Sequence, residues 1–135
     1  MANIIEVQVK QVSAATSEAT IRSHRVLVDR PESKGGEDQG PMGGELLLAA
    51  LGGCFMSNLL AAIRSREAAI ANVRTRVAGT LAESPSRFEA VDLQVSAECD
   101  DRELLGKLVT IAERSCIVAN TLRSCLKLSV SVAGS

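Results

Sequence analysis

The chain has 135 residues and a mass of 14.2 kDa, which is long enough for a buried core, and residues 1–135 are predicted to form a single domain. Its 15 basic and 16 acidic residues leave a formal net charge of −1, and it contains no Trp, no Tyr and two Phe. Without a basic surface or aromatic platforms for base stacking, no nucleic acid is expected as a partner.

The N-terminal residues alternate apolar and polar side chains, with Ile5, Val7 and Val9 on one face, and predict a strand. This segment lacks the basic and apolar regions of a secretory signal, so a cytoplasmic location is expected. A less regular alternation over residues 20–29 predicts a second strand, and the two segments are interpreted as an opening hairpin. The glycine-rich, charged residues 30–41 predict a loop.

Residues 44–67 are apolar on nearly every helical face, which predicts a central helix buried on most sides. The 18 uncharged residues 46–63 lie at the lower limit of a membrane-spanning length. Glycines, alanines, a serine and an asparagine dilute this run, so a buried helix without membrane contact is the expected structure.

Two regular alternations, over residues 73–81 and 91–97, predict a β-hairpin with one polar face. Residues 100–103, Asp-Asp-Arg-Glu, resemble a capping box that opens a second helix. On this helix Cys116 lies on the same face as Leu105, Leu108 and Ala112. Residues 126–132 predict a closing strand.

These elements indicate an α+β fold, with antiparallel sheets around a long buried central helix. So short a chain has too little sheet to cover both faces of this helix. A second subunit is therefore expected to cover part of it, as a homodimer.

The four cysteines, Cys54, Cys99, Cys116 and Cys125, include no C-x-x-C pair, and His24 is the single histidine. This spacing does not fit a metal site, and a reducing cytoplasm disfavours structural disulfides. Thiol chemistry is the remaining chemical role for these cysteines.

Cys54 follows Gly52 and Gly53 in the middle of the predicted helix, where each glycine costs about 1 kcal/mol relative to alanine. Two interpretations account for that cost. Either another element packs closely on the glycines and Cys54 is a small core residue, or the missing side chains leave a substrate access to the sulfur.

Three segments carry a resemblance to a known family. Residues 40–55, GPMGGELLLAALGGCF, resemble the central-helix signature of the OsmC/Ohr superfamily, and residues 112–122, AERSCIVANTL, resemble its second cysteine motif. Residues 28–31, VDRP, and 35–41, GGEDQGP, are similar to the loop of the OsmC-like branch related to YhfA. With the matching order of elements, the resemblance covers nearly the whole chain.

The resemblance implies an OsmC/Ohr-like fold as an intertwined homodimer, with active sites at the subunit interface. It also implies a thiol-dependent peroxidase that uses no cofactor and reduces organic hydroperoxides, apolar ones in preference to hydrogen peroxide. Cys54 would attack the peroxide, Cys116 would resolve the product as a disulfide, and a dithiol would reduce that disulfide.

Peroxidases of this kind use an arginine of the N-terminal sheet to stabilise the thiolate. Arg22, Arg25 and Arg30 match that description, and Arg25 is preferred here. The alternative for each of them is a solvated surface arginine. Cys99 and Cys125 are expected to be structural, and His24, Asn58 and Asn120 to form hydrogen bonds or lie at the surface.

The chain departs from the Ohr pattern at two positions. Gly44 stands ten residues before Cys54, where Ohr-type sequences have the glutamate that orients the arginine, and Glu45 stands nine before. Ile117 replaces the proline that often follows the second cysteine. Both departures favour the OsmC-like branch and leave open a second hypothesis, a stress protein that binds an apolar small molecule with little or no turnover. A third hypothesis, a purely structural dimer, requires Cys54 and Cys116 to be far apart.

Overall fold

The computed structural model describes residues 3–134, and its helices and strands confirm the predicted α+β fold. In chain order the elements are β1 (Gln8–Gln11), β2 (Ser17–Ile21), β3 (His24–Val28), α1 (Gly43–Ser65), β4 (Ala71–Ala82), β5 (Arg87–Glu98), α2 (Arg102–Ser115), α3 (Ile117–Leu122) and β6 (Lys127–Val132). The chain divides into two compact units, the first ending at Leu47 and the second beginning at Leu48. The single domain over residues 1–135 stays a prediction.

The first unit contains an antiparallel sheet of three strands in the order β1-β2-β3. The predicted strand over residues 20–29 was wrong in its extent, because the chain reverses in the middle of it. Ile21 pairs with His24, which leaves a two-residue turn in which Arg22 has a φ of 54°. β2 and β3 therefore form a hairpin of their own, and β1 adds to its edge.

Residues 30–41 form the predicted loop, with one short 3-10 turn at Glu32–Lys34. The buried Asp29 carboxylate organises this loop by accepting the Thr16 hydroxyl at 2.8 Å and the backbone N–H groups of Arg30, Glu37 and Gln39. Gly36 is required there, since a Cβ at this position would overlap the Arg30 carbonyl. The loop is therefore stabilised by polar contacts to Asp29 and not by an apolar core.

The second unit contains the predicted hairpin of β4 and β5, and β6 adds to the free side of β5. The expectation of purely antiparallel sheets needs a correction here, because β6 runs parallel to β5. Between these strands the chain passes through α2 and α3, and such a crossover returns the chain in the same direction. This sheet is therefore mixed.

Helix α1 confirms the predicted central helix, but within one chain only a single stripe of its residues is buried. The helix packs on β4, where Gly52 lies against Val77 and the Thr75 hydroxyl lies 3.1 Å from the Met56 sulfur. The side of α1 that carries Gly53, Ser57 and Leu60 is exposed, so the expectation of burial on most sides is not met within one chain. The buried residues of α1 are Leu51, Gly52, Phe55, Leu59, Ala62 and Ile63.

By length and composition, α1 is the one helix within residues 3–134 that is apolar enough to cross a membrane. Core helices of soluble proteins have the same length and composition, so this match carries little weight. The absence of a membrane partner stays a prediction.

Helix α2 begins one residue later than a cap at Asp100 would require. Asp101 is the N-cap, and its carboxylate accepts the Leu104 N–H at 2.9 Å. Leu105, Leu108 and Ala112 lie on the buried face, as predicted. The helix ends at Ser115, and Cys116 separates it from α3.

Candidate functional site

The site begins with Cys54 on the partly buried flank of α1, where its side chain packs against the core of the second unit. The two glycines before it serve different purposes. A Cβ at Gly52 would come within 2.8 Å of the Val77 side chain, whereas a Cβ at Gly53 would meet nothing within 4 Å. The close-packing interpretation therefore holds for Gly52, and the open-access interpretation fits Gly53.

Cys116 occupies the break between α2 and α3 and is completely buried. Its backbone is extended, with φ −77° and ψ 114°, and its sulfur accepts the Ala119 N–H at 3.4 Å as the N-cap of α3. Sequence periodicity placed Cys116 on the inner face of a continuous helix. The inward direction is confirmed, but the helix does not continue through it.

The Cys116 thiol donates a hydrogen bond to the Cys54 sulfur, although the two residues lie far apart in the sequence. Burial raises the pKa of Cys54, but hydrogen bonds from the Val118 N–H, the Cys116 thiol and the Ile117 N–H lower it, and the net change is downward. These donors favour the thiolate because they stabilise its negative charge.

The same neighbourhood acts in the opposite direction on Cys116. Burial raises the pKa of this thiol, and the Ala119 N–H lowers it. The proximity of Cys54 raises it further, and the net change is upward. The pair is therefore asymmetric, with Cys54 as the readier thiolate and Cys116 as the retained thiol. Such a pair is suited to nucleophilic attack by Cys54 followed by disulfide formation with Cys116.

Sequence reasoning missed the backbone donors of α3. It expected a cation to stabilise the Cys54 thiolate, whereas two N–H groups and a thiol lower its pKa. No glycine or proline in residues 112–122 marks the helix break that exposes these N–H groups. The apolar periodicity also runs through Cys116 to the buried Ala119, so the sequence carries no local signal of the break.

The three candidate arginines lie in the first unit and are exposed. Arg25 stands on β3 opposite Thr20, Arg22 forms the turn before β3, and Arg30 follows Asp29. Activation of Cys54 by Arg25 stays a prediction.

Glu45 is engaged at the start of α1, where its carboxylate accepts the Met42 N–H at 2.8 Å. The carboxylate thus satisfies a backbone donor that the first turn of a helix leaves unpaired. This contact gives Glu45 a structural function, and Gly44 has no side chain to offer at the position of the family glutamate.

The remaining polar candidates have ordinary surroundings. Cys99 packs against the core, and the exposed Cys125 thiol lies 3.7 Å from the Thr121 carbonyl. Asn120 donates to the Arg114 carbonyl at 3.0 Å, which confirms its predicted hydrogen-bonding role. His24 is exposed at the start of β3, and Asn58 is half-buried on α1.

Comparison with solved structures supports the fold assigned above. An OsmC-like protein from Mycoplasma pneumoniae superposes with a TM-score of 0.81 at 18% identity, covering 98% of each chain. Two proteins named organic hydroperoxide resistance proteins, from Legionella pneumophila and Elizabethkingia anophelis, give TM-scores of 0.75 and 0.76 at 19% and 17% identity. The Legionella match covers 98% of this chain and 100% of that one, and the Elizabethkingia match covers all of both.

Comparison with curated protein sequences found no significant match. The family model described as OsmC-like protein matches residues 36–131, which include both cysteine motifs and the whole of α1. The α+β fold, with two three-stranded sheets and a long helix, matches those solved structures and agrees with this family. The chain therefore belongs to the OsmC-like protein family.

Proposed function

We propose that this protein is a thiol-dependent peroxidase that reduces organic hydroperoxides, with Cys54 as the nucleophile and Cys116 as the resolving cysteine. The observation that carries this proposal is the asymmetric pair formed by the Cys54 thiol of α1 and the Cys116 thiol at the end of α2. The pKa of Cys54 is lowered and that of its neighbour Cys116 is raised. Membership of the OsmC-like family supports the same reaction class. So does the structural likeness of this chain to two proteins named organic hydroperoxide resistance proteins.

The proposed reaction needs no cofactor. The Cys54 thiolate attacks the terminal oxygen of the hydroperoxide, so an S–O bond forms, the O–O bond breaks, and the alkoxide takes up a proton to leave as an alcohol. The resulting Cys54 sulfenic acid condenses with the Cys116 thiol, which forms a disulfide and releases water. A dithiol reductant then restores both thiols by exchange and is itself oxidised to a disulfide.

Apolar hydroperoxides are the substrates that this setting favours. Cys54 packs against a core of aliphatic side chains and Phe55, and its own side chain is only partly buried. Burial of the apolar part of such a substrate against this surface removes it from water, which is favourable, whereas hydrogen peroxide has no apolar part to bury. The expected order is cumene hydroperoxide before hydrogen peroxide.

A homodimer completes the proposal. Helix α1 exposes Leu47 and Leu60, and on the side of Leu60 small residues recur every four positions. These small residues are Ala49, Gly53, Ser57 and Ala61. Small side chains permit close approach of a second helix, and a second copy of this chain would remove the exposed leucines from water.

The test is a stopped-flow measurement of cumene hydroperoxide consumption with dihydrolipoamide as the reductant. Cys54→Ser is expected to reduce consumption to the uncatalysed level. Cys116→Ser is expected to accumulate a sulfenic acid that dimedone traps at Cys54. Cys125→Ser is the matched control and is expected to retain wild-type activity, because its thiol is exposed and contacts only a carbonyl. Undiminished activity in Cys54→Ser would refute the proposal.

A second candidate is a protein that binds an apolar small molecule with little turnover. The observation that favours it is Gly44 at the position of the family glutamate, with Glu45 occupied by the Met42 N–H. Native mass spectrometry distinguishes the two functions. A retained apolar ligand, together with thiols inert to cumene hydroperoxide, would support binding over catalysis.

A further inference from the structure

A set of side-chain contacts ties α3 to the end of α2 across the break at Cys116. Arg123, the C-cap of α3, donates to the Glu113 carboxylate at 3.0 Å and to the Asn120 side-chain oxygen at 2.7 Å. Asn120 in turn donates to the Arg114 carbonyl at 3.0 Å. We call these three residues, Arg123, Glu113 and Asn120, the brace.

The brace contains the one side-chain ion pair that ties α3 to α2 within residues 3–134, that of Arg123 with Glu113. The other ion pair in that part of the chain, Lys107 with Glu103 at 3.7 Å, lies one turn apart on the exposed side of α2. The Arg123 and Glu113 side chains are 43% and 29% exposed, so solvent screens their attraction only in part.

Helix α3 needs such a support. It has six residues, and helices that short do not persist in water by their own hydrogen bonds. Its first turn carries the N–H groups of Ile117 and Val118, which act on the Cys54 sulfur, and the Ala119 N–H that holds the Cys116 sulfur. The orientation of α3 relative to α2 therefore determines whether these donors face the thiol pair.

We propose that the brace positions the first turn of α3 and Cys116 against Cys54, and that Arg123 is a positioning residue for the thiol chemistry. Arg123 acts through Glu113 and Asn120 and touches neither sulfur in its described contacts. Its guanidinium bridges the last turn of α2 and the end of α3, so it fixes the angle at the break. An effect of Arg123 on peroxide turnover rests on the proposed function of Cys54. Its effect on the ionisation of the Cys54 thiol does not depend on that function.

The experiment measures the rate of iodoacetamide alkylation at Cys54 as a function of pH, with the site identified by peptide mass spectrometry. In Arg123→Ala the donors of α3 are no longer held against Cys54. The midpoint of the profile is then expected to move upward, and the rate at neutral pH to fall by about threefold to tenfold, because the thiolate is the reactive form. Asn120→Ala, which changes no charge, is expected to shift the midpoint in the same direction.

Two further variants separate positioning from a general effect of charge or stability. Lys107→Ala removes the exposed ion pair of α2 and is expected to keep the wild-type midpoint. The exchange Glu113→Arg with Arg123→Glu restores the pair in reverse and is expected to recover most of the alkylation rate.

Wild-type midpoints in both Arg123→Ala and Asn120→Ala would overturn the proposal, as would an equal shift in Lys107→Ala. The outcome is independent of peroxide turnover. A shifted midpoint in a protein that consumes no hydroperoxide would refute the proposed function and support the brace. An unshifted midpoint in a protein that does reduce hydroperoxides would support the proposed function and refute the role of the brace.

Discussion

The two compact units of this chain are stabilised in different ways. In the first unit the buried side chains are Thr16 and Asp29, both polar, while apolar side chains near its N-terminus are exposed, Ile5 by 86% and Val9 by 62%. Every buried apolar side chain within residues 3–134 lies in the second unit, around Leu93 and Leu105. The pair Cys54 and Cys116 therefore belongs to the unit with the apolar core, which suits a site that needs fixed geometry.

The exposed apolar residues of the first unit and those of α1 both indicate surfaces that a partner could cover. A monomer that leaves such side chains in water loses the free energy that their burial would supply, and contiguous exposed patches usually mark an interaction surface. Experiments that remove a core residue, block the open side of α1 or neutralise the buried aspartate would test the contrast between the units.

Removal of a core side chain from the second unit is expected to have the largest effect. Leu93→Ala empties a fully buried position on β5 and should lower the free energy of unfolding by about 2–5 kcal/mol. Val9→Ala, on β1 of the first unit at a position that is 62% exposed, should cost less than about 0.5 kcal/mol. Urea unfolding followed by circular dichroism measures both. Equal losses would show that the two sites are equally packed and would remove the contrast.

A charge on the open side of α1 is expected to dissociate the proposed homodimer. Leu60 is 40% exposed within one chain, so Leu60→Glu should leave the monomer folded. Burial of the unpaired carboxylate in a dimer should raise the dissociation constant about 100-fold, or about 3 kcal/mol. Analytical ultracentrifugation measures this change, with Leu81→Glu as the control that should stay dimeric. A monomeric wild type would contradict the prediction.

The adjacent glycines of α1 are expected to respond in opposite directions. Gly52→Ala brings a Cβ within 2.8 Å of Val77 and should destabilise the fold by about 1–3 kcal/mol, since an overfilled contact forces neighbours to move. Gly53→Ala meets nothing within 4 Å in one chain and, in the monomeric Leu60→Glu background, should stabilise the helix by up to about 1 kcal/mol. Thermal unfolding compares the two variants. A destabilised Gly53→Ala monomer would place another group on the open side of α1.

The smallest expected effect is a pH dependence confined to the first unit. Burial raises the pKa of Asp29, but the Thr16 hydroxyl and three backbone N–H groups lower it, and the net change is downward. Because the folded pKa lies below the unfolded one, this carboxylate stabilises the loop fully above about pH 4. That stabilisation is lost as the pH falls through the lowered pKa.

Hydrogen exchange at the Glu37 and Gln39 amides measures this effect, since both donate to Asp29. In the wild type their protection should decrease as the pH falls below about 4. Asp29→Asn should show weaker protection at neutral pH without that acid step, and identical profiles for the two proteins would contradict the prediction.

Local patterns in the sequence predicted much of this fold. Alternation identified the β4–β5 hairpin and β6, and uninterrupted apolar character identified α1, because side-chain periodicity follows directly from helix and strand geometry. The turn at Arg22 was missed because the residues around it have no glycine or proline. The OsmC-like motifs singled out Cys54 and Cys116 as a candidate pair.

The sequence by itself thus predicted most of the elements, the family and the choice of Cys54 and Cys116 as candidates. Only the tertiary structure decided that β6 runs parallel to β5, that Cys116 interrupts a periodic helix, and that N–H groups of α3 stabilise the Cys54 thiolate. The physical reason is that periodicity records which face of an element is buried. The angle between α2 and α3 depends instead on contacts between distant residues, such as Arg123 with Glu113, which no local pattern encodes.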